Sequence, residues 1–308
     1  MNEKASIPYL PTDEILDALN QHLIGNPQAT KMALCCVIAG GHLLLDDVPG
    51  VGKTTLAKTI AQLFGLRFQR VQFTNDLMPS DLLGMSIYNQ NAQAFEFKQG
   101  PIFTSALLAD EINRASPKTQ SALLQAMEEQ EVSIDGRPYA LPKPFFVLAT
   151  QNPSDQSGTS PLPESQLDRF LMRLSLGFPS IEAEFNLLKN QRMHSKKSLS
   201  AIIQPEQLIE LTDLVSKTRC SDALVKYLQR LIRATRESTH FKSGLSPRAG
   251  LQWLQAARAW AVLDTRDYVL PEDVQAVAKN VAIHRLNAHA SETHVQEFEN
   301  IMHNTSVD

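Results

Sequence analysis

Short apolar runs alternate with helical or loop-like sequence over the first part of the chain. Each run is five or six residues long, which is typical of a buried strand, and they cover His42–Asp46, Phe68–Phe73, Ser105–Asp110, Phe145–Thr150 and Leu171–Leu176. Strands that alternate with helices in this way form a parallel sheet covered on both faces. The pattern therefore predicts an α/β fold with a five-stranded parallel sheet.

The hydrophobic pattern changes after residue 178, where helical periodicity replaces the strand-like runs. Ser221 is a typical helix cap, and Pro247 and Pro271 are typical first residues of a helix. We therefore place a domain boundary near residue 178. The prediction is an α/β domain over residues 1–178 and an all-α domain over residues 179–308.

Two insertions interrupt the alternation of strands and helices. The first, residues 74–100, contains MSIY and AFEFK on either side of the turn-like NQNAQ, which predicts a small hairpin. The second, residues 131–142, has a tight-turn signal at Asp135-Gly136, and Pro138 restricts its second arm to the edge of a sheet. Two such insertions in one compact domain indicate a working surface.

Composition and charge narrow the range of functions. Of the 308 residues, 29 are Lys or Arg and 33 are Asp or Glu. Because neither positive nor negative charge is in large excess, the composition does not indicate a surface for nucleic acid or an acidic membrane. The chain starts without a secretory signal, and the apolar stretch Met32–Leu45 is shorter than the ~20 residues of a spanning helix. Cys35 and Cys36 are typical of buried reduced thiols. We expect a cytoplasmic chain with no membrane insertion, and we disfavour nucleic acid as a partner.

A phosphate-binding loop is the strongest chemical signal in the chain. The sequence DDVPGVGKTTLAK, residues 46–58, follows an apolar run and opens a helical pattern. Gly50 and Gly52 allow a tight turn whose amides can surround a β-phosphate. Lys53 supplies a charge to the β- and γ-phosphates, and the Thr54 hydroxyl can bind Mg²⁺. We call residues 47–54 the phosphate loop.

Asp47 departs from the usual pattern GxxxxGK[ST], which has glycine at this position. Aspartate tolerates the turn conformation better than most residues do. Because its charge repels phosphate, we expect the carboxylate of Asp47 to point away from a bound triphosphate.

Two carboxylates and an amide follow further strands. The sequence SALLADEINR places Asp110 and Glu111 directly after an apolar run, where successive side chains point to opposite sides. Asp110 can then face the water shell of a metal, and Glu111 can act as a base or position water for attack on a γ-phosphate. Asn152 in FFVLATQNP could hold that water, although an Asn-Pro turn explains it nearly as well. The carboxylate pair indicates a hydrolase.

Arg169 and Arg248 are candidate phosphate-binding cations, although a solvated arginine explains either residue alone. Arg248 falls in the first turn of a helix capped by Ser246, where the positive helix end disfavours a cation by about 0.3–1 kcal/mol. A nearby anion would resolve this conflict. Glu128 has the opposite conflict at the negative end of a predicted helix that ends near Met127. Solvation or cations of a neighbouring subunit would explain Glu128.

Seven segments over roughly residues 15–285 carry a resemblance to a known family. They are LLLDDVPGVGKTTLA, QFTNDLMPSDLLG, FKQGPIF, LLADEINRASPKTQSALLQAMEE, VLATQNP, LPESQLDRFLMR and GLSPRAG. In this order they resemble the MoxR family of AAA+ ATPases, in the helix-2-insert branch, whose members commonly carry an acid at the position of Asp47. The resemblance implies an AAA+ P-loop NTPase core followed by a helical lid. Residues 74–100 would be the helix-2 insert, and residues 131–142 would be the pre-sensor insert.

The resemblance also implies a role for each candidate residue. Asp110 and Glu111 would form the Walker B motif, and Asn152 would be sensor 1. Arg169 would be the arginine finger that reaches a neighbouring subunit's ATP, and Arg248 would be the sensor 2 residue of the lid. The catalytic residues would be Lys53, Glu111, Asn152, Arg169 and Arg248. Mg²⁺ would bind Thr54 and, directly or through water, Asp110. The nucleotide-binding residues would be Gly25, Asn26, Pro49, Gly50, Val51, Gly52, Lys53, Thr54, Thr55 and Arg248.

The resemblance implies that the protein is an ATPase with ATP and Mg²⁺ as cofactors. It also implies a homo-oligomeric ring, which we expect to be a hexamer. Proteins of this family are regarded as chaperone-like ATPases that mature or remodel client proteins, often with a von Willebrand A-domain partner, in metal or cofactor insertion or in stress responses. A nucleic-acid motor or loader, a magnesium-chelatase-type subunit and an ATP-gated scaffold with little turnover are the alternatives. A nucleic-acid motor is disfavoured because Arg137 is the only cation of SIDGRPYALP, and a scaffold with little turnover is disfavoured by Glu111.

Overall fold

The chain folds into a sheet-containing part followed by a helical part, and the computed structural model describes residues 11–23, 26–152, 159–189, 199–286 and 292–307. The helices are α1 Thr12–His22, α2 Pro27–Ile38, α3 Lys53–Leu63, α4 Pro79–Leu83, α5 Pro117–Glu129, α6 Glu164–Leu167, α7 Ile181–Lys189, α8 Pro205–Lys217, α9 Asp222–Glu237, α10 Pro247–Leu263, α11 Pro271–Leu286 and α12 Glu292–Asn304. The strands are β1 Leu43–Asp46, β2 Phe68–Gln72, β3 Gly84–Asn89, β4 Ala94–Gln99, β5 Ala106–Asp110, β6 Glu131–Ile134, β7 Arg137–Ala140, β8 Phe146–Gln151 and β9 Met172–Leu174.

The central sheet has five parallel strands in the order β2-β5-β8-β1-β9. Leu44 pairs with Ala149, and Leu107 pairs with Val147. The predicted five-stranded parallel sheet is therefore confirmed, and each predicted strand differs from the observed one by no more than two residues at either end. Because the strands are parallel, all their last residues meet at one end of the sheet, which we call the carboxyl end. We call the opposite end the amino end.

Alternating side chains of the strands face two apolar clusters, one on each side of the sheet. Leu43 and Leu45 of β1 contribute to the first cluster, whereas Leu44 contributes to the second. The same alternation holds in β5, where Leu108 faces the first cluster and Leu107 the second. Both faces of these strands are thus buried, which explains why the sequence shows continuous apolar runs rather than an apolar–polar alternation.

Three helices of the helical part begin at the residues that the sequence pattern predicted. The Ser221 hydroxyl accepts a hydrogen bond from the Leu224 amide (3.1 Å) at the start of α9, and the Ser246 hydroxyl accepts one from the Ala249 amide (3.0 Å) at the start of α10. These bonds satisfy amides that have no partner within the helix. The predicted helix starts at Ser221, Pro247 and Pro271 are confirmed.

The first apolar cluster runs without a break from the sheet into the helical part. It joins Leu43 of β1 to Trp253 of α10, and it includes the free, fully buried Cys35 and Cys36 of α2. The Cys35 thiol donates a hydrogen bond to the carbonyl oxygen of Ala256 in α10 (3.4 Å). The predicted burial of the two thiols is confirmed. The boundary near residue 178 stays a prediction, because both sides of it share this core.

Both insertions form antiparallel hairpins, and the two hairpins contact each other. The Ser86 hydroxyl of β3 donates a hydrogen bond to the Asp135 carboxylate (2.6 Å) in the turn between β6 and β7. The ring centroids of Phe97 in β4 and Tyr139 in β7 lie 4.1 Å apart. Asp135 adopts a left-handed backbone conformation (φ 52°), as the predicted tight turn requires.

None of the described helices combines the length and the apolar composition that a membrane crossing requires.

Candidate active site

The phosphate loop wraps the N-terminus of α3. Gly50 and Gly52 adopt left-handed backbone conformations with φ values of 91° and 97°, which glycine accepts at low cost. A Cβ atom at Gly50 would meet open space, whereas one at Gly52 would lie 2.8 Å from Leu23 Cδ1. The loop therefore places its backbone, with open space beside Gly50, at the positive end of α3, and proteins bind phosphate groups at helix ends of this kind.

Lys53, the first residue of α3, points back over the loop. Its ammonium group donates hydrogen bonds to the main-chain oxygens of Asp47 (2.5 Å) and Gln151 (3.4 Å). Burial lowers the pKa of Lys53, while the nearby carboxylates of Asp47, Asp110 and Glu111 act in the opposite direction. The ammonium group is thus held between the ends of β1 and β8, at the carboxyl end of the sheet.

The carboxylate of Asp47 faces the segment after β9. It accepts hydrogen bonds from the Ser175 hydroxyl (2.7 Å) and from the amides of Leu176 (2.6 Å) and Gly177 (3.3 Å). Asp47 is buried, so these donors compensate for the loss of water around the charge. The departure from the usual glycine thus has a structural role: the side chain connects the phosphate loop to the end of β9.

Asp110, the last residue of β5, is buried and its carboxylate has defined partners. Oδ1 accepts a hydrogen bond from the Thr150 hydroxyl (2.6 Å). Oδ2 accepts two hydrogen bonds from the Arg70 guanidinium, at 3.1 and 2.6 Å. Because both oxygens already accept hydrogen bonds, contact with Mg²⁺ through a water suits this carboxylate better than direct ligation.

Glu111 follows β5 in a left-handed backbone conformation (φ 55°, ψ 50°), which is uncommon for a residue other than glycine. Its amide donates a hydrogen bond to the Thr150 hydroxyl (2.9 Å), and its partly exposed carboxylate lies 3.4 Å from the Arg114 guanidinium. Strained backbone of this kind is concentrated at functional sites. Asn152 directly follows β8, the neighbouring strand, at the same end of the sheet.

These groups fit a nucleoside triphosphate with Mg²⁺. The ammonium group of Lys53 and the amides at the start of α3 are donors for phosphate oxygens, and Thr54 and Asp110 offer the oxygen ligands that Mg²⁺ prefers. Gln151, whose main-chain oxygen contacts Lys53, also has a buried side-chain donor, Nε2, without a partner among the described residues. A bound acceptor within reach of Nε2 would satisfy it.

Gly25 and Asn26 are predicted to bind nucleotide, and the start of the segment that contains them lies beside the phosphate loop. Gly25 lies outside the described residues. Asn26 is the N-cap of α2, and its side chain accepts a hydrogen bond from the Gln28 amide (3.0 Å). Leu23 contacts Gly52, which brings the start of this segment to the phosphate loop. The nucleotide-binding roles of Asn26, Pro49, Val51 and Thr55 stay predictions.

Arg169 and Arg248 do not join the residues at the carboxyl end of the sheet. They lie together on one carboxylate: Glu128 Oε2 is 3.0 Å from the Arg169 guanidinium, and Glu128 Oε1 is 2.7 Å from the Arg248 guanidinium. Glu128 is exposed, as expected for a solvated helix end, and its cationic partners belong to the same chain rather than to a neighbouring subunit. Glu128 lies in the last turn of α5 and Arg248 in the first turn of α10, so each charge compensates for the other's unfavourable position at a helix end.

This arginine pair lies at the amino end of the sheet. The Leu171 amide, two residues after Arg169, donates a hydrogen bond to the His42 carbonyl oxygen (2.9 Å) just before β1. His42 and Asp47 flank β1, and at ~3.3 Å per residue the two ends of the sheet are roughly 16 Å apart. The two guanidinium groups therefore face away from the phosphate loop of their own chain.

The sequence prediction missed two residues that contact Asp110. Thr150 hydrogen-bonds both Asp110 and the Glu111 amide, and Arg70 pairs with Asp110 from the neighbouring strand. Thr150 had a signal in the sequence, since it is a polar residue inside the apolar run FFVLAT. Arg70 had none, because its contact depends on the pairing of β2 with β5.

Comparison with known proteins identifies two matching families. Residues 42–172 match the ATPase family associated with various cellular activities (AAA), and residues 233–304 match the AAA lid domain. The chain is 44% identical over 275 residues to the uncharacterized protein YeaC of Bacillus subtilis, covering 89% of this chain and 86% of YeaC.

Two further relatives and one solved structure cover most of the chain. Identity to Chaperone MoxR1 of Mycobacterium tuberculosis is 41% over 273 residues, covering 86% of this chain and 72% of that protein. Identity to Protein MoxR of Paracoccus denitrificans is 32%, covering 87% and 86%. A crystal structure of a Cytophaga hutchinsonii protein assigned as an ATPase matches with a TM-score of 0.86 and 38% identity, covering 96% of this chain and 94% of that one. The chain therefore belongs to the MoxR family of AAA+ ATPases.

Proposed function

We propose that this ATPase is a subunit of a homo-oligomeric ring in which one copy binds ATP and Mg²⁺ and the next copy completes the site with Arg169 and Arg248. The observation that carries this proposal is the position of the two arginines. Both bind Glu128 at the amino end of the sheet, and their own phosphate loop is at the other end. A ring that brings the amino end of one subunit to the carboxyl end of the next would unite the two halves.

Within one subunit, each residue at the carboxyl end has a separate task. Lys53 binds the β- and γ-phosphates, Asn152 orients the attacking water, and Glu111 accepts the proton of that water. Thr54 and Asp110 would hold Mg²⁺, which neutralises phosphate charge when it is bound. The Thr150 hydroxyl keeps Asp110 and Glu111 in their relative positions.

The neighbouring subunit supplies the remaining positive charge. Arg169 acts as an arginine finger and Arg248 as sensor 2, and both would exchange the Glu128 carboxylate for the phosphates of the neighbour's ATP. In other nucleotide hydrolases an arginine finger contributes ~10³–10⁵ to the rate. Hydrolysis by this protein should therefore depend on assembly, and we propose a hexamer as the active state.

Mixing two inactive variants tests this arrangement. Arg169→Ala removes the arginine that a subunit gives to its neighbour, and Glu111→Gln removes the base of a subunit's own site. Each variant alone should lose ~10³-fold or more in kcat. Mixed rings should regain activity, because some sites combine an intact Glu111 with an intact Arg169 from the neighbour. No gain on mixing, or full specific activity in a dilute monomer, would contradict the proposal.

The cellular role that we propose is ATP-driven maturation or remodelling of partner proteins in the cytoplasm, together with a von Willebrand A-domain protein. Two features support it: a relative is named Chaperone MoxR1, and the β3–β4 hairpin exposes a paired Tyr88 and Phe95 with ring centroids 5.3 Å apart. Exposed aromatic pairs of this kind suit contact with another protein.

A trap variant tests the cellular role. With ATP, Glu111→Gln should retain client proteins that wild type releases, so affinity purification from the source cells should enrich them. Lys53→Ala, which should not hold ATP, is the control. If Glu111→Gln captures nothing beyond what wild type and Lys53→Ala capture, the remodelling role fails while the ATPase proposal stands.

A further inference from the structure

Arg285 of α11 is a buried charged residue with no task in the site described so far. Its side chain is 3% exposed, and its guanidinium donates hydrogen bonds to Asp168 Oδ1 (2.8 Å) and to the carbonyl oxygens of Phe170 (2.6 Å) and Leu171 (3.3 Å). It also contacts Gln252 Oε1 and the Val281 carbonyl oxygen. A guanidinium with this many acceptors is rigidly held.

The acceptors of Arg285 surround the two arginines of the proposed intersubunit contact. Asp168 precedes Arg169 directly, and the Phe170 and Leu171 carbonyls follow it. Gln252 comes four residues, about one helical turn, after Arg248 in α10. One guanidinium from α11 therefore holds both the turn that carries Arg169 and the helix that carries Arg248.

Neighbouring groups maintain this arrangement. His284, adjacent in α11, also contacts the Phe170 carbonyl oxygen, at 3.1 Å. Burial lowers the pKa of Arg285 to about 10, while the Asp168 carboxylate acts in the opposite direction, so the guanidinium remains charged at neutral pH. A buried cation whose partners are all backbone carbonyls or polar side chains of one small region fixes the relative positions of those groups.

We propose that Arg285 is a positioning residue for ATP hydrolysis: it aligns Arg169 and Arg248 so that both reach the neighbour's nucleotide together. The inference rests on the proposed transfer of these two arginines to the adjacent site. It assigns Arg285 no contact with ATP, since it acts only through the segments that it holds.

The first test is the substitution Arg285→Lys, which keeps the charge but cannot span the same acceptors. We expect kcat to fall about 10- to 100-fold, with a nearly unchanged KM for ATP, because a subunit's own phosphate loop is at the other end of the sheet. Arg266→Lys is the matched control. Arg266 also binds a carboxylate through two bonds, to Asp273 Oδ1 and Oδ2 (both 2.6 Å), but it contacts neither arginine. The kcat of the Arg266→Lys variant should equal that of wild type.

The second test separates positioning from general stability. Rings that mix Arg285→Lys with Glu111→Gln should regain activity, since the Arg285→Lys subunit keeps its own Lys53 and Glu111 and receives intact arginines from its neighbour. A subunit that is merely unstable would not be rescued in this way. If Arg285→Lys fails to fold, Asp168→Asn weakens the same contact from the acceptor side and should give the same loss and the same rescue.

The possible outcomes distinguish this inference from the proposed function. If Arg169→Ala with Glu111→Gln regains activity but Arg285→Lys with Glu111→Gln does not, the positioning role is wrong and the shared site stands. A wild-type kcat for Arg285→Lys also overturns the positioning role. If neither mixture regains activity, the shared site itself is wrong.

Discussion

At the scale of single residues, Thr150 shows how one buried hydroxyl organises two acids. The hydroxyl accepts a hydrogen bond from the Glu111 amide and donates one to the Asp110 carboxylate. Glu111, the proposed base, and Asp110, proposed to lie near Mg²⁺, therefore share one partner. These two hydrogen bonds, at 2.9 and 2.6 Å, hold the backbone turn between Asp110, the last residue of β5, and Glu111. This hydroxyl also supports the left-handed conformation of Glu111.

Thr150→Val should remove both hydrogen bonds while nearly preserving the shape of the side chain. The buried Glu111 amide and Asp110 oxygen would each lose a partner, at a cost of about 1–3 kcal/mol in the free energy of unfolding. We expect kcat to fall by about tenfold or more, with a smaller change in KM for ATP. Steady-state ATPase assays and urea unfolding measure these effects. Thr150→Ser keeps the hydroxyl and should retain most of the activity; equal losses in both variants would contradict the role given to the hydroxyl.

Asp47→Gly restores the usual phosphate-loop pattern and should nevertheless harm this protein. Two amides and a hydroxyl after β9 would lose their charged acceptor, which we expect to lower the free energy of unfolding by about 2–3 kcal/mol. Binding of ATP should weaken as well, since the loop loses its connection to β9. Denaturant unfolding and nucleotide titration test this. Asp213→Ala, an exposed position in α8, should change stability by less than ~0.5 kcal/mol.

The sequence alone indicates the phosphate loop and the acid pair, because their spacing along the chain is itself the chemical signal. It does not predict the partners of Arg169 and Arg248. Glu128 comes from a different helix, far from both arginines along the chain, and a pairing of this kind depends on the tertiary fold. For the same reason, Arg285 gives no signal in the sequence.

At the scale of elements, the hydrophobic pattern predicts strands and capped helices but not their mutual contacts. Apolar runs identify the strands because both sheet faces are buried, and serine and proline signals identify the starts of α9, α10 and α11. Helix α7 is different: Ile181, Phe185 and Leu188 follow helical spacing, yet all three side chains are exposed. An apolar stripe alone would have placed them in the core.

The two hairpins should behave as one element, because the Phe97 ring packs on Tyr139 at 4.1 Å. An aromatic pair of this kind is worth about 0.5–1.5 kcal/mol beyond burial. Tyr139→Ala should therefore accelerate amide hydrogen exchange in β3 and β4 by about two- to tenfold, while exchange in α9 stays the same. Hydrogen-exchange mass spectrometry measures both. Unchanged exchange in β3 and β4 would show that the hairpins move independently.

At the scale of the whole molecule, two buried histidines should make stability depend on acidity. His42 accepts a hydrogen bond from the Val147 amide through Nδ1 (3.1 Å), which a protonated ring cannot do, and burial lowers its pKa to about 4. Burial, followed by the charge of Arg285, also lowers the pKa of His284. Below its ordinary pKa of about 6.5, each histidine binds its proton more readily in the unfolded chain.

The stability that these histidines contribute should be complete above about pH 6.5 and should fall as the pH drops toward 4. For His42 alone the full loss is about 3.5 kcal/mol, from a shift of about 2.5 pKa units at ~1.4 kcal/mol each. Urea unfolding at pH 7.5 and at pH 5 measures the difference, which should shrink in His42→Gln. His303→Gln, at an exposed position, should show the wild-type difference. An equal difference in His42→Gln and wild type would exclude His42 as the cause.

The apolar cluster that passes from β1 into α10 limits how the molecule can move. Lys31 of α2 strengthens the same junction through Asp264, at 2.7 Å, and through the Trp260 ring. Because this cluster is continuous from the sheet into the helical part, we expect no hinge between β1 and α10. In the ring that we propose, ATP hydrolysis should therefore tilt whole subunits against one another, and the distance between probes on β1 and α10 should be the same before and after turnover.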